Sequence, residues 1–520
     1  MQVMTGNVVQ TDGLKSIYFQ YQDTVLMSNG EIRTSNYDSE AIPKIQALLA
    51  SDTSILPTLN GLSPRVYKES ANTINTYVTE VSSSSEIIQS DIEKQSETGA
   101  RTKSMLQLAV DRGVSDIHIE IYKSHTEINS REDGKMVALQ KAVPEKEFGL
   151  LVVGWLFNEA EIKEADFYAN KPNNGRVEID LNTNDGKRTC QWRISYIPAK
   201  DGGGQLTMRW LNKDLTIPNF YQLGWEPGHI RAMEDFINSA SGMCIVTGQV
   251  GSGKSTTIAS ALSAMKGTGR AINTLEDPVE FDIGVIQTSV STGDGDDNPM
   301  FDYAKLLLRH DPDVESHGEV RENKGAMVAC RKADTGQIMF TTMHTSSAIG
   351  VAVTLHEQFH VPLSVISAGK LMKLWIYQTL VRKLCPHCSL DREEAIAGLS
   401  ATQIDKLTQW EEEQIWNEKS LDNVRFRNPD GCSHCKEGEK HRTSLIEMLV
   451  LDDEDRKYIF KQDEAGWKEA LQRKGFKDVQ SHANLKILRG EIDLFTTSQK
   501  VDGLISIETG RIYSDLFEEE

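Results

Sequence analysis

Residues 248–255 read GQVGSGKS, and Gly248, Gly253, Lys254 and Ser255 fill every fixed position of the pattern G-x-x-x-x-G-K-[ST]. A loop of this kind works only where a strand ends before it and a helix begins from it. The apolar run MCIV at 243–246 precedes it, and TTIASALSAM, a run of good helix formers, follows at 256–265. Gly248, Gly251 and Gly253, with Ser252 among them, let backbone approach an anion closely. The helix amino terminus, opened by Thr256, presents unpaired N–H groups. Lys254 brings a mobile charge to β- and γ-phosphates, and the Ser255 hydroxyl is a magnesium ligand. A glycine turn that matches by chance is the competing reading, and the strand and helix in their places argue against it. ATP and Mg2+ are therefore expected on an α/β core over residues 221–384, where strand-like and helical runs alternate.

Around that core the chain divides by composition. Residues 1–80 mix short β-like stretches with a helical patch near AIPKIQALLA and carry no motif with recognisable chemistry. The serine- and charge-rich stretch 81–100 reads as a linker with helical tendency. Residues 101–215 place a helix before the alternating strand SDIHIEIY, a turn at Asp133-Gly134, and strands at RVEID, CQWRISYI and QLTMRWL, an α+β domain. A cysteine-bearing element is expected over 385–445 and a helical region over 446–520.

Downstream of the loop, AINTLE runs into Glu276-Asp277-Pro278-Val279-Glu280, then Gly318-Glu319-Val320-Arg321, then TTMHT with His344. This order and spacing is similar to the aspartate box, Walker B region and histidine box of the type II secretion and type IV pilus ATPase superfamily. The preceding SDIHIE, Arg131-Glu132-Asp133-Gly134, Asn174-Gly175-Arg176 and WRISYIP resemble that family's second amino-terminal domain, so the similarity spans roughly residues 100–500. The resemblance implies a RecA-like P-loop core preceded by an α+β domain. It makes Glu319 the catalytic carboxylate, Glu280 an acid beside the same water, and His344 a sensor of the γ-phosphate or a coupler of sites. Arg193 and Arg209, with Arg176 less clearly, would neutralise transition-state charge from the preceding domain. Taken singly, Glu280 is an ordinary helix-start acid, His344 a core histidine and each arginine a solvent-facing strand residue. The ordered set points to function.

One departure stands out. The family's Walker B strand is normally apolar, yet here it reads Val314-Glu315-Ser316-His317-Gly318-Glu319. A parallel strand buried on both faces should not carry unpaired charge. Either the strand is short and partly exposed, or Glu315 and His317 pair locally.

Cys385-Pro386-His387-Cys388 and Cys432-Ser433-His434-Cys435 form two C-x-x-C pairs. Each pair offers two thiolates, and two pairs close a tetrahedral zinc shell; a redox role needs only one pair beside a thioredoxin-like unit. Four sulfurs fill the shell, so His387 and His434 are not ligands and the zinc is structural. The following GCSHCKEGEKHRTSLIEMLV resembles the assembly members of the family, although a glutamate, Glu439, follows Gly438 where a tyrosine is usual. Retraction-type motors lack this element and the long amino-terminal extension.

Lysine plus arginine total 56 against 76 aspartate plus glutamate, a formal charge of -20. That balance repels a polyanion, so no direct nucleic-acid partner is expected, and a translocase would need a basic stripe. The longest apolar run, Phe148 to Phe157, is about half a bilayer crossing. A cytoplasmic protein is expected, reaching the inner membrane only through partners. The resemblance implies a homo-hexamer that moves an inner-membrane platform protein to assemble a pilus or a secretion pseudopilus. A nucleotide-binding scaffold with little hydrolysis is the rival that the polar Walker B strand keeps open.

Overall fold

The computed structural model describes residues 7–52, 54–59, 62–82, 85–183, 186–213, 216–290, 299–506, 510, 513 and 516. The expected end of the α+β domain, at 215, lies outside them. The chain forms two compact units, residues 1–105 and 106–520. In the first, strands Thr24–Leu26, Glu31–Thr34 and Arg65–Lys68 make a three-stranded sheet. Leu14, Tyr18, Val25, Ile32, Ile45 and Ile74 form its core beneath helices that include Asp12–Tyr21 and Ala41–Ser51. From residue 85 on, the stretch read as a linker with helical tendency lies within a helix, Ser85–Asp111. Its residues 85–98 hold no glycine or proline, so nothing in the backbone interrupts it.

The second unit opens with an antiparallel seven-stranded sheet. Its spatial order is Lys135–Ala138, Thr126–Glu132, Asp116–Ile121, Gly204–Trp210, Gly186–Pro198, Asn173–Thr183 and Ile162–Lys163. Alternation along these strands buries one face, where Trp192, Ile194, Tyr196, Leu206 and Met208 lie. The apolar run at 148–157 belongs to helix Lys146–Glu159, which buries Val152, Val153, Leu156 and Phe157. No described helix is long and apolar enough to cross a membrane. The opposite face carries charge. Register aligns Arg131, Asp116, Arg209, Arg193 and Arg176 in one row across five neighbouring strands.

A second seven-stranded sheet forms the core. Its order is Ile286–Ser289, Ile272–Glu276, Val314–Glu319, Ile338–Met343, Gly242–Thr247, Met372–Leu384 and Glu439–Val450. The first six run parallel, and the last adds antiparallel at the edge. That edge strand lies beyond the cysteines, in sequence expected to belong partly to a helical region. Helices Pro227–Ile237 and Lys254–Met265 pack with Cys244 and Val246 of the central strand. Met243 and Ile245, on its other face, share a cluster with helix Asn323–Asp334.

The polar strand Val314–Glu319 is buried, and its charges pair locally. Glu315 is 0% exposed and His317 4%. His317 Nε2 lies 3.0 Å from Glu315 Oε2, and the same oxygen takes an ion pair from Lys332, itself 0% exposed, on helix Asn323–Asp334. Burial drives His317 and Lys332 below their ordinary pKa values. Burial also opposes the Glu315 carboxylate, but hydrogen bonds from His317 and Lys332 outweigh it and hold this acid below its usual range. Val314 to His317 thus stay buried with one Glu315 oxygen paired, while Glu315 Oε1 has no hydrogen-bond partner among the described residues and Gly318 and Glu319 reach partial exposure.

Candidate functional site

Parallel strands with helices on both faces leave their carboxyl ends as the natural place for a ligand. The loop 248–253 follows the central strand there and delivers the helix Lys254–Met265. Gly253 has φ 86° and Gly248 φ 146°, and a Cβ on Gly248 would lie 2.2 Å from the Gln378 carbonyl oxygen. Glycine is therefore required at this contact. Gln378, buried on the neighbouring strand, donates from Nε2 to the Ser252 carbonyl at 2.6 Å and accepts from Thr257 Oγ1 at 2.6 Å. It braces the loop from beneath.

Lys254 Nζ rests on the loop's own carbonyls, 3.0 Å from Gly248 O and 3.2 Å from Gln249 O. Burial lowers its pKa, while the charges of Glu319 and Glu280 act against that shift. His344, just beyond the strand Ile338–Met343, places Nδ1 2.9 Å from Gly248 O and Nε2 3.1 Å from Glu319 Oε1. The other Glu319 oxygen accepts from Arg321 Nη2 at 2.9 Å. Glu319 is thus held between a histidine tied to the phosphate loop and an arginine on its own strand end. Glu280 faces the same wall as the Ser255 hydroxyl. Burial pushes its pKa up, against Ser255 and the charges of Arg209 and Arg193.

These groups line one cleft of about 1170 Å³ between the charged face of the α+β sheet and the core. The cleft wall includes Gly251, Ser252, Gly253, Lys254, Ser255 and Thr256, and Glu280, Glu319 and His344 face it together with Arg193 and Arg209. Arg209 is fixed by Asp116, Nε to Oδ1 at 2.8 Å. Gly248 stands at the loop's entry, against Gln378 and His344. Arg176 is drawn away, pairing with Glu178 at 2.8 Å, and does not line the cleft. The sequence assigned no role to Gln378, to Asp116 within SDIHIE, or to Arg321 at the end of the Gly318–Arg321 run. Gln378 left a signal all the same, a lone amide inside the apolar strand run LWIYQTLV.

The four cysteines converge. Cys385 and Cys432 Sγ are 3.8 Å apart, Cys388 and Cys435 3.5 Å, and Cys432 and Cys435 3.6 Å, with all four sulfurs within 4.8 Å. A tetrahedron with Zn–S bonds of about 2.3 Å has edges of about 3.8 Å. The donor set fits a closed structural zinc site, and the rings of His387 and His434 stack on each other 4.3 Å apart.

Comparison with known proteins follows this geometry. The chain is 31% identical over 358 residues to the type II secretion system protein E of Klebsiella pneumoniae, covering 68% of this chain and 66% of that protein. It is 32% identical over 357 residues to the type II secretion system ATPase E of Vibrio cholerae, covering 67% and 64%. The aligned part thus spans just under two-thirds of those relatives. The type IV pilus assembly ATPase PilB of Pseudomonas aeruginosa is 28% identical over 389 residues, covering 74% of this chain and 64% of that one. The fold matches the Legionella pneumophila ATPase DotB (TM-score 0.54, 19% identity, 77% of this chain and 94% of that one). It also matches the pilus retraction motor PilT (TM-score 0.50, 20% identity, 77% and 96%). A family model described as type II/IV secretion system protein matches residues 93–501, and the chain belongs to that family.

Proposed function

We propose that this chain is a motor ATPase that hydrolyses ATP as a cytoplasmic hexamer and drives assembly of a type IV pilus or a type II secretion pseudopilus. The observation that carries the reading is the meeting of Lys254, Glu280, Glu319, His344, Arg193 and Arg209 on one cleft around the phosphate loop. Phosphoryl transfer to water needs a positioned carboxylate and cations where charge develops. Glu319 is the group that orients the attacking water, with Glu280 beside the Ser255 hydroxyl. Arg193 and Arg209 approach from the α+β sheet and stabilise the transferring phosphoryl group. A divalent cation held by Ser255 would neutralise phosphate oxygens. His344 bridges Glu319 and the loop, so a filled loop and a poised carboxylate are linked through one ring.

The scaffold alternative drew its motive from the polar Walker B strand. With Glu315 Oε2 paired to both His317 and Lys332, that motive weakens, though Oε1 stays unpartnered, and Glu319 remains on the cleft. Relatives named for secretion and pilus assembly support an inner-membrane platform protein as partner. The acidic balance supports contact with the membrane through partners and no direct nucleic acid.

The test compares two variants. Lys254→Ala is expected to abolish phosphate release and to weaken ATP binding, because the phosphate charge partner is gone. Glu319→Gln is expected to hold ATP and release almost no phosphate. Equal loss of nucleotide affinity in both would overturn the assigned roles.

A further inference from the structure

Two tight turns meet beside the cleft. One, Glu132-Asp133-Gly134-Lys135, closes the hairpin at the edge of the α+β sheet, with Asp133 at φ 45° and Gly134 at φ 87°. The other, Lys436-Glu437-Gly438-Glu439, begins directly after Cys435, with Glu437 at φ 52° and Gly438 at φ 79°. Both have the positive-φ pair of a two-residue hairpin turn. At the second turn a glutamate occupies a backbone region that favours glycine or asparagine, so its side chain carries the explanation.

The charges on the two turns are reciprocal. Lys436 Nζ lies 3.0 Å from Glu132 Oε2, and Glu437 pairs with Lys135 and, at 3.5 Å, with Arg427. Arg382, on the strand leading to Cys385, donates to the carbonyls of Glu132 at 3.0 Å and Asp133 at 2.9 Å. The Cys385 N–H donates to Gly438 O at 2.8 Å, so both cysteine knuckles reach the same turn. On the other side, Arg131 donates to Gly134 O at 2.9 Å and stands in register with Asp116, which holds Arg209 beside Arg193.

We propose that the turn after the last cysteine is a positioning device for the active-site arginines: zinc fixes Lys436 and Glu437, these fix the hairpin tip, and the strand register carries that placement to Arg209 and Arg193. The inference rests on the proposed role of the arginines in hydrolysis. None of the turn residues touches the reacting atoms. They act through the sheet, and Arg209 and Arg193 are the groups that feel the loss.

The test uses the full chain as purified with zinc, the same protein after chelation, Glu132→Lys, Lys436→Glu, and the double charge swap, with zinc content checked in each variant. Amide hydrogen exchange over 126–138 is the first readout and steady-state ATPase the second. Chelation and each single reversal are expected to speed exchange of the hairpin about three- to tenfold, the range for breaking a surface ion-pair network. The swap should restore protection. In the zinc-loaded reversals kcat should fall by a similar factor while KM for ATP stays within about twofold, since the arginines act on the transition state. Hairpin exchange indifferent to chelation, or a swap no better than the sum of its singles, would overturn the proposal. Wild-type protein without ATPase activity would instead sink the functional reading, and the exchange arm would still decide the clasp.

Discussion

Gln378 satisfies two buried groups at once, the Ser252 carbonyl and the Thr257 hydroxyl, within the segment that must receive phosphate. Leaving buried polar groups unmatched costs about 1–3 kcal/mol. Gln378→Leu is therefore expected to raise the nucleotide Kd about tenfold, measured by calorimetric titration with ADP, and an unchanged Kd would remove Gln378 from the loop's support. His317 makes a pH prediction. Its folded pKa is depressed by burial, while in the unfolded chain it titrates near its ordinary 6.5. Below that pH the unfolded state takes up the proton first, so the stability tied to His317 is complete above about pH 6.5 and drains as pH falls. His317→Leu should flatten the dependence of the unfolding midpoint between about pH 6.5 and 5 relative to wild type, and an unchanged slope would contradict a buried neutral imidazole. The residues proposed for phosphate and metal stood out in the sequence because spacing of that kind is set by what it would bind. Gln378 and Asp116 did not, because each serves a neighbour far off in sequence, and Lys332 did not, because it serves a strand from a helix 17 residues on.

The four cysteines converge on one site, and the freshly purified reduced protein is expected to carry about one zinc per chain. Cys432→Ser should lower that content and speed proteolysis within 385–445; protein without metal that keeps full protease resistance would argue against the site. Strands with clean alternation, such as Asp116–Ile121 and Gly186–Pro198, were readable because one face is buried and the other wet. The helix Ser85–Asp111 was read only as a helical tendency in a linker, because serine and charge blur its pattern, whereas the absence of breakers over 85–98 lets the helix run. For the strand Val314–Glu319 the sequence left two ways out, partial exposure or a local pairing of Glu315 with His317. Its resolution lay in Lys332, on the helix that follows, where no strand pattern would point.

At the scale of the molecule, the open question is whose arginines serve whose loop. Arg193 and Arg209 reach the cleft within their own chain. Mixed assemblies of Arg193→Ala and Lys254→Ala, each inactive alone, are therefore expected to stay inactive once subunit exchange is confirmed by tagged pull-down. An arginine can be worth ~10³-fold in phosphoryl transfer, so even a minority of repaired sites would be visible, and recovered activity would place the arginine across an interface. The antiparallel edge strand could not be read from local pattern, because its partner lies on the far side of the insert 385–438.

That long insert also governs how the sheet can be completed during folding. Strand Glu439–Val450 zips onto Met372–Leu384 beginning at the pair Leu384↔Glu439. Without help the chain must first close a loop of the whole insert, at an entropic cost about 2 kcal/mol above that of a four-residue turn. Cys385 stands immediately after one end of this pairing and Cys435 shortly before the other. Capture of one metal ion by the four thiolates would therefore turn a distant pairing into a local one, a stitch that would set the order of assembly. Refolding into zinc should lay down the edge strand early; refolding into chelator should leave it as the last and slowest piece to join.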